Sequence, residues 1–395
     1  MNKQATTGNH GENVRSDCRV TLKMAKSGGI QVRLESKVER LFGNAIRAQA
    51  KEVLRGLGIP HAHVEIYDSG ALPFVISARL EAAARQLTGN QEEILPGMIG
   101  QNLYETGRER HRVSRLYLPG NTPSMMINAG IHGPDGIILD LEDSVAPDRK
   151  PEARLLVRNA LRQVDFYGAE HMVRINQLPM GLEDLEYVVP HQVHVILIPK
   201  CEHPEQVLDV DAKVREILRQ QGQQREIFLM PILESCLGVE HAFSIASAAD
   251  SVVAMAIGLE DLTADLGVAR TREGDESLYA RSRMVNACRA AGIQAIDSVF
   301  SDVADEEGLR IAVARSRALG FEGMGCIHPR QIRLILEGFA PGQEEIEKAE
   351  RIIGAFREAG EKGLGVVALG SKMIDPPVVK RAERTLELAG KLKRV

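Results

Sequence analysis

The chain has 395 residues, 44% of them apolar, and its 49 basic against 54 acidic side chains leave a net charge of −5. That length admits two domains with ordinary cores, and the mild acidity without a long basic run argues against nucleic acid and membrane surfaces as partners. No apolar stretch approaches the roughly 20 residues that cross a bilayer, and residues 1–19 are polar and lack the core of a signal peptide. The five cysteines, Cys18, Cys201, Cys236, Cys288 and Cys326, are far apart and form no C-x-x-C pair, as expected of reduced thiols in a cytoplasmic protein.

Residues 16–90 read as a small α+β module. Val20–Leu22 and Ile30–Leu34 alternate like two strands joined at Gly28-Gly29. Ser36 to Glu39 form a capping box, after which Val38, Leu41, Phe42, Ile46, Val53 and Leu54 recur at helical spacing until Gly56 and Gly58. Val64–Tyr67 alternates again, Asp68-Ser69-Gly70 turns, and Ala71 to Leu87 is helical in pattern. Residues 91–111, with Gly, Asn and Gln and no sustained period, are the linker.

From residue 112 to 340 the pattern changes to short apolar runs: Arg115–Leu118, Gly136–Leu139, Met172–Ile175, Val193–Ile198, Ile227–Leu233, Val252–Ile257, Ile293–Ile296 and Gly323–Ile327. Their mean spacing is about 30 residues, the size of one strand and one crossover helix. Runs that are continuously apolar are what a parallel sheet covered on both faces requires. Between them, Pro204 to Gln220 and Ser277 to Ala291 carry helix formers. The expected architecture is a (β/α)8 barrel with its chemistry at the carboxyl ends of the strands; an open doubly wound sheet is the competing arrangement.

Candidate chemical groups cluster where the runs stop. Glu234 follows the fifth run and Asp261 the sixth, 27 residues apart, one barrel unit. Two hard oxygen donors that leave other positions to water and substrate suit Mg²⁺, while the plainer alternative is two helix-capping acids. Arg174 lies inside the third run, so its guanidinium needs an anion, either a protein acid such as Glu142 or a substrate carboxylate. Lys200, after the fourth run, has the same two readings. The second run ends in Asp140-Leu141-Glu142-Asp143, acids that either hold water around a metal or cap a helix. The chain carries no H-E-x-x-H, Walker loop or G-x-S-x-G, which sets aside zinc proteolysis, nucleotide hydrolysis and esterase chemistry.

SRLYLPGNTP from Ser114, DLEDSVAP with Lys150 and Arg154, VRIN, PILES, GLEDLTADLG, CIHPRQI and GSKMIDPP occur in order. Together they resemble the citrate lyase beta subunit and its malyl-, citramalyl- and citryl-CoA lyase relatives, of the HpcH/HpaI aldolase type. The resemblance runs from about Arg112 to Leu388. It implies a barrel with a C-terminal helical lid over residues 341–395, Mg²⁺ on Glu234 and Asp261, and substrate contacts from Arg174 and Glu234. It also implies a lid acid, Asp375, that covers a neighbouring subunit's site, and a place for the thioester arm near Arg115 and His328. Where the family often has Asp-Gly or Asn-Gly before Lys-Met, this chain has Gly370-Ser371.

GGIQVRLESKVERLFGNAIR and DSGALPFVISARLEAAARQ in turn resemble the acyl-carrier (gamma) subunit of citrate lyase, in which a Ser in a Ser-x-Asp setting bears a phosphopantetheine-type group. Aligning Asp17 puts Arg15 at that position and Ser16 one residue away, so either Ser16 carries the group or the arm is missing. The leading expectation is Mg²⁺-dependent cleavage of a 3-hydroxy-3-carboxyacyl thioester into a 2-oxo acid and an acetyl thioester. Asp375, Arg174, Glu142 and Asp143 are the catalytic candidates, and Arg115, Lys200, Glu234 and His328 the substrate contacts. The alternatives are a thioesterase on the same site and a non-catalytic scaffold or carrier working with a citrate lyase alpha-type subunit. A lid that reaches across subunits predicts a closed homo-oligomer, a trimer or hexamer.

Overall fold

The computed structural model describes residues 4–361, 367–369 and 372–392. The amino-terminal module is a four-stranded sheet of β1 (Gln4–Thr7), β2 (Cys18–Met24), β3 (Ile30–Ser36) and β4 (Ala62–Asp68), in the order β1-β2-β4-β3. The module thus begins twelve residues or so before the expected boundary, because β1 is a polar edge strand whose residues alternate exposed and buried without an apolar signal. The strands β2 and β3 do not form a hairpin. β4 lies between them, antiparallel to β2 and parallel to β3, since the helix Glu39–Gly56 supplies the crossover that a parallel pair requires. The expected capping box is also absent: Ser36 still belongs to β3, where its hydroxyl donates to Asp68 and accepts from the Val38 N–H, and the N-cap Val38 has no side-chain cap.

The following strands, β5 (Ser114–Pro119), β6 (Gly136–Asp140), β7 (Glu170–Arg174), β8 (Val195–Ile198), β9 (Phe228–Leu233), β10 (Ala254–Ile257), β11 (Gln294–Asp297) and β12 (Gly323–Cys326), form a closed parallel barrel. Closure is made by β12 against β5, with Met324 opposite Ser114 and Cys326 opposite Leu116. That pairing sets aside the open sheet, which would leave both edges unpaired. Ile138, Met172, Leu197, Met230, Ile232, Ala256 and Ile296 fill the interior, so the barrel is a packed core and not a channel. Helices such as Lys150–Gln163, Pro204–Gln220, Leu278–Ala291 and Glu306–Leu319 cover the outside.

The module is fastened to the barrel through its helix Pro73–Thr88, which packs on the helix Lys150–Gln163. Phe74, Val75, Ala78 and Ala82 join the same apolar cluster as Leu156, Val157 and Ala160. Charges are sealed into this seam. Arg79, fully buried, donates twice to Asp17 at 3.0 Å and lies 3.2 Å from Glu152. Arg158 donates to both oxygens of Glu81 at 3.0 and 2.6 Å.

The linker is a strap across the amino end of the barrel. Asn102 donates to the Leu161 and Val164 carbonyls, Tyr104 meets His171, and Arg112 makes a two-pronged pair with Glu170 at 2.8 Å. At the same end lies the helix Pro376–Leu392, whose Arg384 reaches Glu322 at 2.7 Å. It packs on the helix Gln343–Glu361 through Ala349, Ile352, Ile374, Val379 and Ala382. Gly370 and Ser371 lie outside the described residues. All five cysteines are free thiols, and no described helix is long and apolar enough to cross a membrane.

Candidate active site

At the carboxyl ends of the strands a cavity of about 520 Å³ opens, lined by Arg115, Tyr117, Asp140, Asp143, Arg174, Glu234, Gly258, Asp261 and Asp297 among others. It receives one side chain from each of several strand ends because in a parallel barrel every strand delivers its last residues to the same rim. Asp140 and Arg174 are register partners on β6 and β7.

In this structure Arg174 is held by protein acids. Its Nε and Nη2 donate to the two Asp140 oxygens at 2.7 and 2.8 Å, and its Nη1 lies 3.0 Å from Glu142 and 3.8 Å from Asp143. The anion that holds the guanidinium is therefore a protein acid, with Asp140 ahead of Glu142. Burial works against its charge, yet Asp140 and Glu142 keep Arg174 well above its ordinary value. Tyr117 lies beneath it, with the guanidinium carbon 5.5 Å from the ring centroid. Lys150 donates to the Leu141 and Glu142 carbonyls and to Asn176, pinning the corner that carries the three acids.

Glu234 and Asp261 are brought together around Lys200. The Lys200 N–H donates to Glu234 Oε2 at 2.8 Å, and its Nζ lies 3.3 Å from Asp261 Oδ1. Lys200 holds a φ of +46°, a left-handed conformation uncommon outside glycine, which turns the chain sharply after β8 and presents both its ends to the acids. Burial pushes the Glu234 carboxyl up to about 7, and the negative charges of Glu142 and Asp261 add to the rise. Gly258 leaves it room, since a Cβ there would fall 2.6 Å from Glu234 Oε1.

Here the donor set can be tested against Mg²⁺. Asp140, Glu142, Asp143, Glu234 and Asp261 outnumber Arg174, Lys150 and Lys200, so this side of the cavity is short of positive charge. Glu234, only 6% exposed, accepts one backbone N–H and no cationic side chain. Among the described residues no trio of His, Cys, Asp and Glu converges as a metal cage. A pair of acids in an anionic pocket, with space beside it, fits a cation that keeps most of its positions for water and substrate.

Of the remaining expected residues, Arg115 lines the cavity and the others are dispersed. Arg115 projects into the barrel interior below Tyr117, fully buried. His328 does not line the cavity; it caps the helix Pro329–Phe339, its Nδ1 accepting from the Arg330 N–H at 3.2 Å. Asp375 is at the other end of its own barrel, where its carboxylate accepts from the Val378 N–H at 3.2 Å. Ser16 precedes β2 with φ +57°, its N–H bonded to the Ser69 carbonyl, beside the buried Asp17. Sequence reasoning passed over Asp140 as the partner of Arg174 and missed Tyr117 and Asp297. A signal existed for both acids, as each is the last residue of its strand, close to the carboxyl-end positions where the other acids were sought.

Residues 113–329 match the HpcH/HpaI aldolase/citrate lyase family, and residues 3–87 match the acyl carrier family of the malonate decarboxylase delta subunit (MdcD). The citrate lyase subunit beta of Haemophilus influenzae is 43% identical over 70% of this chain and 97% of its own length. Human mitochondrial citramalyl-CoA lyase is 33% identical over 70% of this chain and 85% of its own. The crystal structure of CitE from Mycobacterium tuberculosis in complex with magnesium, acetoacetate and coenzyme A is 31% identical, with a TM-score of 0.60 over 72% of this chain and 100% of that one.

Proposed function

The chain belongs to the HpcH/HpaI aldolase/citrate lyase family, and from that premise we propose that it is a Mg²⁺-dependent carbon–carbon lyase acting on a 3-hydroxy-3-carboxyacyl thioester of coenzyme A. The products are a 2-oxo acid and an acetyl thioester. One observation carries this: two acids that follow successive strands converge on a single corner residue, Lys200, in a pocket with surplus negative charge, opposite a guanidinium held rigid by its own acids.

In the reaction the hydroxyl proton leaves, the bond between the hydroxylated carbon and the thioester's α-carbon breaks, and its electron pair passes to the thioester as an enolate. Protonation of that α-carbon completes the acetyl thioester. Mg²⁺, when bound, supplies Lewis-acid polarisation at the oxygen that becomes the carbonyl. Glu234 and Asp261 are the residues that hold it, and Lys200 keeps them in register. Arg174, immobilised by Asp140, presents its cationic face to the oxo-acid end, while Glu142 and Asp143 orient hydroxyl and water around it.

Asp375 is the proton-handling acid in this scheme. Because its helix lies against the amino end of its own barrel, it acts at the mouth of a neighbouring copy, in a closed homo-oligomer of three or six chains. Ile327 lines the cavity and His328 stands next to it at the rim, on the path by which the thioester arm enters.

We favour a module without a phosphopantetheine-type group, since Arg15 stands where the carrier family has its Ser and Ser16 lies one residue away. The Ser16 backbone is confined between the Ser69 carbonyl and Asp17, and Asp17 is locked to Arg79 in the seam. A module fastened to the barrel in this way supports free coenzyme A thioesters, over a carried arm, as the substrates. The test is release of oxaloacetate, pyruvate and glyoxylate from citryl-, citramalyl- and malyl-CoA, with and without a chelator. One thioester cleaved, and silenced by the chelator, is the expected result. Release of free coenzyme A without any oxo acid would instead make the site a thioesterase.

A further inference from the structure

Two arginines face this cavity, and they differ in one respect. Arg174 is closed by Asp140 and Glu142. Arg115 has no acid. It is 1% exposed, its Nε has no hydrogen-bond partner, and its Nη1 has only the Met230 sulfur, at 2.9 Å. Nearby carboxylates are engaged elsewhere: Glu170 with Arg112, and Asp297 with Arg281 and Ser316. Burial pulls the Arg115 guanidinium down to about 10, so it is still a cation at neutral pH.

The surrounding structure makes room for it. Both register partners of Arg115 are glycines, Gly136 on β6 and Gly325 on β12. A Cβ on Gly136 would touch Arg115 Cγ at 3.5 Å and fall 2.6 Å from the Met172 methyl, so the glycine leaves room for Met172 beside the arginine's stem. Arg115 and Tyr117 share the inward face of β5, since side chains two apart on a strand point the same way. The cavity therefore has levels: Glu234, Asp261 and Arg174 at the rim, Tyr117 below them, Arg115 at the floor.

A buried cation with no counter-charge costs several kcal/mol unless something bound meets it. What can reach this floor is small, because the guanidinium is enclosed by the barrel and the cavity above is about 520 Å³. Coenzyme A phosphates lie at the far end of a long arm that enters from outside, so the anion that descends belongs to the acid portion of the substrate. A planar guanidinium matches a carboxylate.

We propose that Arg115 is the specificity residue for a second carboxylate on the acid portion, so that the thioester cleaved is one whose 2-oxo acid product is dicarboxylic. This rests on the lyase reading of the site and adds the substrate class to it. A monocarboxylic product such as pyruvate or glyoxylate leaves the floor cation bare, and sites built to pair a polar group reject ligands that lack it.

The test is direct binding of pyruvate, oxaloacetate and 2-oxoglutarate to the intact protein with Mg²⁺ present, by calorimetry, for the wild type and for Arg115→Met and Arg115→Lys. The wild type is expected to bind one of the dicarboxylic acids at least about 100-fold more tightly than pyruvate. In Arg115→Met that preference falls to within about 3-fold, and Arg115→Lys, which keeps the charge, retains part of it. Equal or tighter binding of pyruvate by the wild type overturns the proposal whether or not the variants fold, as does a preference that survives in Arg115→Met. Binding needs no cleavage, so the two ideas fail separately. A protein that shows the preference but cleaves no thioester loses the lyase reading and keeps this site. One that cleaves a thioester without the preference loses this site and keeps the lyase reading.

Discussion

Buried charge is handled in opposite ways in the seam and in the catalytic cavity. Along the seam, Arg79 and Arg158 are sealed from solvent with Asp17, Glu152 and Glu81, every guanidinium facing carboxylates of the same chain. In the cavity, Glu234 is buried without a cationic hydrogen-bond partner and Arg115 without an anion. Charges closed within the chain hold its parts together, whereas the charges left open at the cavity are the ones proposed to meet a ligand. The difference separates architecture from function more sharply than burial alone, since all these groups are buried.

The comparison can be broken most forcefully at the rim. Asp261→Ala is expected to reduce turnover by about 10³-fold or more, the loss of several kcal/mol of Lewis-acid stabilisation, with the thermal midpoint little changed. Metal-stimulated turnover retained in this variant would remove Asp261 from the ligand pair. Asp375→Asn should lower turnover by roughly 10²- to 10⁴-fold while Mg²⁺ affinity, read by calorimetry, holds. Mixing the Asp261→Ala and Asp375→Asn proteins under conditions of subunit exchange should restore activity, because one intact rim then meets one intact lid. No recovery would place Asp375 outside a neighbour's site.

In the seam the same substitution type should act on stability alone. Arg79→Met strands Asp17 and is expected to cost about 3–5 kcal/mol in urea unfolding. Arg115→Met, which removes an uncompensated charge, should leave stability equal or higher. Equal losses in the two would erase the distinction drawn between them. A further effect, set by pH, concerns the neutral histidines near the amino end of the barrel. Burial lowers His171 and His191 to about 3 and His194 to about 4. Their folded values lie below the unfolded value near 6.5, so the unfolded chain binds protons that the native state refuses. Stability is full above about pH 6.5 and declines toward pH 4, by up to about 1.4 kcal/mol per pH unit per histidine. Urea midpoints at pH 7 and pH 5 measure it, and a flat profile would mean these rings are not held neutral.

Much of this was legible in the residues. Apolar runs followed by Glu234, Asp261 and Asp140 announce strand ends, because only a covered parallel sheet tolerates such runs and only its rim collects the polar residues that follow. Pro204–Gln220 is a helix with the bounds its composition suggested. The polar β1 was illegible, since an edge strand that buries only alternate small side chains looks like a disordered tail. Ser36 misled for the opposite reason: it has the residue type and spacing of a cap, yet strand pairing with Asp68 claimed it. The partner of Arg174 was undetermined because several acids stood within reach in sequence, and only the register of β6 on β7 put Asp140 first.

By itself the sequence determined the eight-run cadence, the paired acids and the family, all properties that repeat locally or match as strings. Tertiary structure alone decided which charges are closed and which are open, because that depends on groups far apart in the chain: Asp17 meeting Arg79, Lys200 bridging Glu234 and Asp261, Arg115 meeting no acid. Coulomb energy and desolvation act across space, and a linear string does not record who is near whom.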